Sequence, residues 1–101
     1  MAKRVQFPAV DGEYVFKSKT YNLAYHQFAF NSNGSATSGT VTIEAKSPGS
    51  NVWEPIPDGT MELPNPQAIL FVFAMSKFRV TLSNFTGDAI QLYLTHSYRG
   101  L

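Results

Sequence analysis

The sequence predicts an all-β fold, an antiparallel β-sandwich (jelly-roll-like) or small barrel of about seven or eight short strands. In several segments, apolar residues alternate with polar ones at a period of two, as on a strand with one buried face. Aromatic residues form 14% of the chain, and aromatic side chains favour strands. Turn signals separate these segments, and none has the periodicity and caps of an amphipathic helix.

The first third of the chain is predicted to hold an arm, a short strand and a long strand. Residues 1–11 are interpreted as an extended N-terminal arm, followed by a short strand over Glu13–Lys17. Tyr21–Phe30 is predicted to form a long strand because of its aromatic content. A helix is the alternative there, because apolar residues in this segment also have helical spacing. Residues 31–39 form a polar loop with an Asn-Gly turn signal.

The middle of the chain is predicted to contain one regular strand and a hairpin. Thr40–Lys46 alternates strictly, with every second residue apolar, and a Pro-Gly turn follows it. Val52–Ile56 and Thr60–Leu63 are short strands that can pair with each other. The Pro-Asp-Gly sequence at residues 57–59 is predicted to be the turn between them.

Two strands are predicted back to back in Ala68–Ser83. The first is a continuous apolar run, Ala68–Met75, and the second alternates through Phe78, Val80 and Leu82. A continuous apolar run indicates a strand that is covered on both faces. In so short a chain, this second cover comes either from the chain itself or from another subunit. Residues 84–88 are then predicted to turn the chain into a last strand, residues 89–97.

Composition indicates a single domain, residues 1–101, with little electrostatic attraction for polyanions. The net charge is +1 and few residues are charged, so we expect neither a nucleic acid nor a membrane as partner. There are no cysteines, which excludes disulfides and thiolate metal sites and favours folding in a cytoplasm. The basic start has no apolar signal-peptide core, and no apolar run reaches the length of a membrane span.

No constellation of nucleophile, base and orienting group is apparent, so the sequence predicts a non-enzymatic protein without a cofactor. The two histidines, His26 and His96, have no ligand-like neighbours and are interpreted as surface or pocket-edge residues rather than a metal site. Trp53 is interpreted first as a core or inter-subunit side chain. The alternative is that Trp53, with Tyr93, stacks on a sugar ring at the surface.

The last two-thirds of the chain carry a recognisable order of strand and turn motifs. These are GTVTIE at Gly39–Glu44, WEPIPDGT at Trp53–Thr60, FRVTLS at Phe78–Ser83 and FTG at Phe85–Gly87. With an apolar strand between the second and third, this order resembles small β-sandwich virion proteins of tailed bacteriophages. The resemblance implies a capsid decoration (cement) protein or a tail accessory protein, and it assigns no functional residues.

From the resemblance and the apolar run we expect a phage virion structural protein, most simply a capsid decoration protein that assembles through apolar burial. The alternatives are a tail or baseplate accessory protein and a carbohydrate- or receptor-binding module. The expected partners are the major capsid protein or tail proteins and further copies of the chain. The protein would fold in the host cytoplasm and act in the virion. The expected assembly residues are Leu70, Phe71, Val72, Phe73, Lys3, Arg4 and Phe7.

Overall fold

The structure is a computed structural model in which the described residues form eight strands in two antiparallel sheets. It describes residues 2–17, 24–47, 49–63, 69–73 and 77–100. The strands are β1 (Ala2–Pro8), β2 (Gly12–Lys17), β3 (Ala24–Ser32), β4 (Ala36–Lys46), β5 (Glu54–Leu63), β6 (Ile69–Phe73), β7 (Lys77–Gly87) and β8 (Gln91–Gly100). Within these residues there is no helix that is long and apolar enough to cross a membrane.

The topology is defined by the order in which the strands pair within the two sheets. The first sheet has the order β1-β8-β3-β6, and the second has the order β2-β7-β4-β5. The chain is therefore folded back on itself as four pairs, β1 with β8, β2 with β7, β3 with β6 and β4 with β5. The β3–β8 and β4–β7 pairings then complete the two sheets. This double-sheet arrangement is a jelly roll, so the predicted all-β sandwich is confirmed.

The core lies between the sheets and is built by the period-two alternation of the strands. On β7, Phe78, Val80 and Leu82 are buried, and the residues between them are partly exposed. Both sheets contribute apolar residues to one cluster, which removes most of their surface from water. Its buried members are Phe7, Phe28, Phe30, Val41, Ile43, Ala45, Ile56, Met61, Leu63, Phe78, Val80, Leu82, Leu92 and Leu94.

Residues 2–8, which the sequence suggested to be an arm, form an edge strand of the first sheet instead. β1 pairs with β8 from Ala2 opposite Ser97 to Pro8 opposite Gln91. Phe7 is only 3% exposed and its ring lies edge-on to that of Phe30, 6.1 Å between centroids. The prediction that Phe7 belongs to an assembly interface is therefore wrong, because the chain's own core already buries this side chain.

The predicted hairpin at residues 57–59 is also wrong, because β5 runs through this segment as a single bulged strand. Thr42 pairs with Thr60 and Glu44 pairs with Pro55, so the residues between Pro55 and Thr60 form a bulge. Asp58 has a φ of 56°, and this left-handed backbone conformation accommodates the bulge within the strand. Pro-Asp-Gly has the composition of a turn, but the continuous partner strand β4 keeps the chain running in one direction.

The segment Ala68–Ser83 does hold two strands, but they belong to different sheets. β6 is at the edge of the first sheet, and β7 lies between β2 and β4 in the second. β7 also continues through the predicted turn at 84–88, with Asn84 at a φ of 54°. The Asp11 carboxylate accepts hydrogen bonds from the backbone N–H groups of Asn84 and Phe85, at 3.1 and 3.0 Å. This link stabilises the distorted part of the strand.

The long strand predicted at Tyr21–Phe30 is confirmed from Ala24 onward, and the helix alternative does not apply there. Residues 21–23 lie outside the described residues. β3 and β4 both extend into the predicted 31–39 loop, which leaves residues 33–35 as the connection between the sheets. The Asn33 side-chain oxygen accepts hydrogen bonds from the N–H groups of Ile90 and Gln91, both at 3.0 Å, and so joins two connections at one end of the sandwich.

Candidate functional site

The predicted assembly residues of β6 lie at the edge of the first sheet. Among the described strands, β6 pairs with β3 only. In this pairing Leu70 is opposite Gln27, whose side chain is exposed, and Phe71 is opposite the buried His26. The side chains of residues 69–73 lie outside what the structure describes. Over residues 69–71 of β6, the register therefore alternates between positions paired with buried residues and a position paired with an exposed residue.

The basic residues predicted to join this interface lie on the opposite edge strand. Lys3 and Arg4 belong to β1, whereas β6 closes the other edge of the same sheet. Arg4 is exposed, and its guanidinium carbon lies 4.6 Å from the ring centroid of Tyr93. The structure therefore does not bring Lys3 and Arg4 together with the four β6 residues.

Trp53 and Tyr93, the two candidates for sugar stacking, lie on opposite outer faces of the sandwich. Tyr93 alternates with the buried Leu92 and Leu94 and so faces outward from the first sheet. Trp53 lies just before β5 and is half-buried against side chains on the outer face of the second sheet. The two rings cannot form one platform. Trp53 is not a core residue, and its alternative as an inter-subunit side chain stays a prediction.

Cationic side chains surround the indole ring of Trp53. The Lys46 Nζ lies 4.7 Å from the ring centroid, and the Arg79 guanidinium carbon lies 4.8 Å from it. Both distances are within the range of a cation–π interaction. These contacts hold Trp53 against β4 and β7, so its ring belongs to a charged surface rather than to an apolar one.

Arg79 also connects three strands through two carboxylates. Its Nε and Nη2 donate to Glu44 Oε1 at 3.0 and 2.6 Å, and its Nη1 donates to Glu13 Oε2 at 3.3 Å. Glu44 is on β4 and Glu13 is on β2, on either side of Arg79 on β7. The side chains of Arg79 and Glu44 are each 22% exposed, so this pair is the better shielded of the two.

Next to this ion network, three lysines stand directly opposite one another. Lys77 on β7 pairs with Lys17 on β2 and with Lys46 on β4. The residues that alternate with them, Phe16, Phe78 and Ala45, contribute to the core, so all three lysines point outward. We call Lys17, Lys77 and Lys46 the lysine row. Like charges directly opposite on neighbouring strands destabilise a sheet.

The two histidines meet inside the core, contrary to the surface position predicted for them. His26 Nδ1 and His96 Nε2 are 2.8 Å apart, and the residues are 0% and 2% exposed. His96 also stacks on Phe28, with 4.6 Å between the ring centroids and 10° between the planes. A signal for this burial existed in the sequence, because His26 continues the buried alternation of Phe28 and Phe30.

No group of three or more His, Cys, Asp or Glu side chains that could hold a metal ion occurs in the described ranges. The His26–His96 pair is enclosed by aromatic rings, so a substrate could not reach it from solvent in this conformation. Within the described residues, we take the surface of the second sheet around Trp53 and the edge strand β6 as two candidate places for contact with another molecule.

No protein-family model matches the chain, and no curated protein sequence matches it. The similarity to virion proteins of tailed phages thus stays a prediction from the strand and turn motifs.

Proposed function

We propose that the chain is a non-enzymatic virion structural protein, a capsid decoration protein whose copies assemble through strand β6. The observation that supports this proposal most directly is the position of β6. Its five residues, ILFVF, are all apolar, and they form an edge strand of the first sheet. An apolar edge strand presents a row of backbone groups that can pair with another chain.

The mechanism follows from strand addition. A second copy that places its own β6 antiparallel to this edge would extend the sheet with main-chain hydrogen bonds, and apolar surface of the two copies would be buried at the contact. Burial contributes about 25 cal/mol per Å² of apolar surface, and a typical stable interface buries about 1,600 Å². Many copies on one particle add avidity, so each single contact can be weak.

The fold agrees with this function by analogy. Jelly rolls occur in viral capsid proteins, and they occur in lectins as well, so the topology alone selects neither. The order of motifs that resembles phage virion proteins adds to the fold-level analogy. The proposal therefore depends on the edge strand for its mechanism and on the resemblance for its biological setting.

The test measures the chain in virions. Purified heads and purified tails of the phage that encodes the chain would be separated and probed for it by mass spectrometry. We expect the chain in heads, and we expect Leu70→Asp, which places a charge on β6 opposite the exposed Gln27, to reduce its incorporation about tenfold or more. Gln6→Asp is the matched control, because it adds the same charge to the other edge strand of the same sheet.

Three outcomes would overturn the proposal. The first is a chain that is absent from purified virions, the second is incorporation of Leu70→Asp at the level of the unmodified chain, and the third is an equal loss for Gln6→Asp. Presence in tails only would replace capsid decoration with a tail or baseplate role.

A further inference from the structure

The lysine row concentrates positive charge on a protein with a net charge of only +1. Neighbouring strands are about 4.8 Å apart, so the Cα atoms of Lys17, Lys77 and Lys46 lie within about 10 Å across three strands. Each lysine has a like charge as its direct cross-strand neighbour, and this arrangement costs stability. An anionic ligand that bridges the row would remove this repulsion, which gives binding a local electrostatic driving force.

Two acidic side chains on this face, Glu44 and Glu13, bind Arg79. Glu44 is opposite Arg79, two residues along β4 from Lys46, and Glu13 is opposite Thr81, four residues along β2 from Lys17. Arg79 therefore neutralises part of the charge of these two carboxylates. Three lysines are direct neighbours at this end of the outer face of the second sheet, which we call the positive end.

Trp53 borders this positive end and adds a large flat surface to it. Lys46 is shared between the two features, because it belongs to the lysine row and its Nζ lies over the Trp53 ring at 4.7 Å. Trp53 is half-buried, so part of its surface remains open to solvent. A ligand at this place would meet ammonium groups and an indole ring together.

We infer that the lysine row and Trp53 form a binding site for an acidic saccharide, a sugar chain that carries carboxylate or sulfate groups. The anionic groups would bind Lys17, Lys77 and Lys46, and the apolar face of a sugar ring would contact the indole. The inference goes beyond virion assembly, because the site lies on the second sheet and β6 lies in the first.

Two observations favour a saccharide over a nucleic acid. A net charge of +1 provides little long-range attraction for a long polyanion. Proteins that bind single-stranded nucleic acids stack successive bases on several aromatic rings. Among the described residues, Trp53 provides the aromatic ring next to the lysine row on this face. A short, locally charged ligand fits one ring and one row of cations.

The test titrates the purified full chain with four probes at low ionic strength, where exposed charges are least screened. The probes are heparin fragments (sulfated), oligogalacturonate (carboxylated), dextran fragments (neutral) and an oligothymidylate (nucleic acid). Backbone amide shifts in an NMR titration report both affinity and location. We expect heparin fragments or oligogalacturonate to shift amides of β2, β4 and β7 around the row, and dextran to shift none.

The decisive variant is Lys17→Gln/Lys46→Gln/Lys77→Gln. We expect it to weaken binding of the acidic saccharide about tenfold or more, because three ion pairs with the ligand are lost. The matched control is Lys3→Gln/Arg4→Gln/Arg99→Gln, which removes the same net charge from strands of the first sheet. Binding by this control should stay within about twofold, since the lost charges are on the other sheet.

Trp53→Ala separates saccharide binding from simple attraction of an anion. We expect this variant to weaken binding of the acidic saccharide about fivefold and to leave the weak response to inorganic sulfate unchanged. The inference is overturned if neither acidic probe binds, if dextran binds equally well, or if the control variant loses as much affinity as the lysine-row variant. Tighter binding of the oligothymidylate would overturn it in favour of a nucleic acid site.

Discussion

At the residue scale, the hydrogen bond between His26 and His96 is a polar contact between two buried side chains of the described residues. A bond between two imidazoles needs an N–H on one ring and an unprotonated nitrogen on the other. Phe28 stacks on His96, and Phe78 meets it edge-on with 5.2 Å between the ring centroids. Since buried polar groups are costly without partners, each ring depends on the other for this contact.

Replacement of one histidine should therefore cost more than replacement of both. We expect His96→Phe to lower the free energy of unfolding by about 1–3 kcal/mol, because His26 loses this hydrogen-bond partner in the core. The double variant His26→Phe/His96→Phe should be more stable than the sum of the single variants by about 1 kcal/mol or more. Urea unfolding of the four proteins gives the coupling energy, and additive effects would contradict the proposed pairing.

The same pair predicts acid sensitivity. An ordinary histidine takes up a proton near a pH of about 6.5, so both imidazoles bind protons in the unfolded chain below this value. In the folded chain, protonation of both rings would abolish the acceptor nitrogen and bury two positive charges. The unfolded state thus binds more protons, and the free energy of unfolding falls as the pH decreases below about 6.5.

We expect the free energy of unfolding to fall by about 1.4 kcal/mol per pH unit for each proton that only the unfolded chain binds. Urea unfolding between pH 7 and pH 5 measures it, with His26→Phe/His96→Phe as the control that removes both groups. A slope that is the same in this control would assign the acid sensitivity to other groups.

At the scale of elements, the bulge in β5 makes a prediction about Gly59. This glycine is buried, and a Cβ atom placed on it would lie 2.8 Å from the carbonyl oxygen of Ile43 and 2.7 Å from Ile56 Cγ1. We expect Gly59→Ala to lower the free energy of unfolding by about 1–3 kcal/mol, because a backbone atom must move. Gly12→Ala is the control, since its Cβ would meet only the end of the Tyr14 side chain at 3.3 Å. Equal costs in urea unfolding would contradict the tight packing at the bulge.

The lysine row makes a prediction about sheet stability that does not involve a ligand. Lys77→Glu would place an acid between Lys17 and Lys46, and we expect it to raise the free energy of unfolding by about 0.5–1 kcal/mol. Thr81→Glu is the matched control on the same strand and face. Its direct neighbour on β2 is Glu13, so the control should lose stability. Urea unfolding at low and high salt measures the stability of both variants. The difference in the free energy of unfolding between them should decrease at high salt, because salt screens the charges. A loss of stability in Lys77→Glu would contradict the repulsion in the row.

How far the sequence predicts these elements depends on whether the signal is local. Alternation of apolar and polar residues is local, and it predicted β2, β4 and β7 close to where they are. The bulge at Asp58 was missed because its composition is that of a turn and only the partner strand β4 decides otherwise. The sequence alone identified Trp53 as a candidate site residue, but it could not identify the lysine row. Its three members are far apart in the chain and become neighbours only through the register of β2, β7 and β4.

At the scale of the whole molecule, the jelly-roll order sets which strands can meet another chain. Pairing of the chain with itself leaves β1 and β6 at the edges of the first sheet and β2 and β5 at the edges of the second. β1, β2 and β5 all carry charged residues, whereas β6 has none. Charged side chains on an edge oppose pairing between molecules. The self-association that we propose is therefore expected at β6.

Light scattering coupled to size-exclusion chromatography tests this claim most directly, because it measures the mass of the chain in solution. We predict a mass of at least two chains for the unmodified protein and for Gln6→Asp, and the mass of one chain for Leu70→Asp. The far-ultraviolet circular dichroism of all three should be that of a β protein, so that a change in mass is not a loss of fold. A mass of one chain for the unmodified protein at every concentration, or an oligomer that Leu70→Asp leaves intact, would contradict assembly through β6.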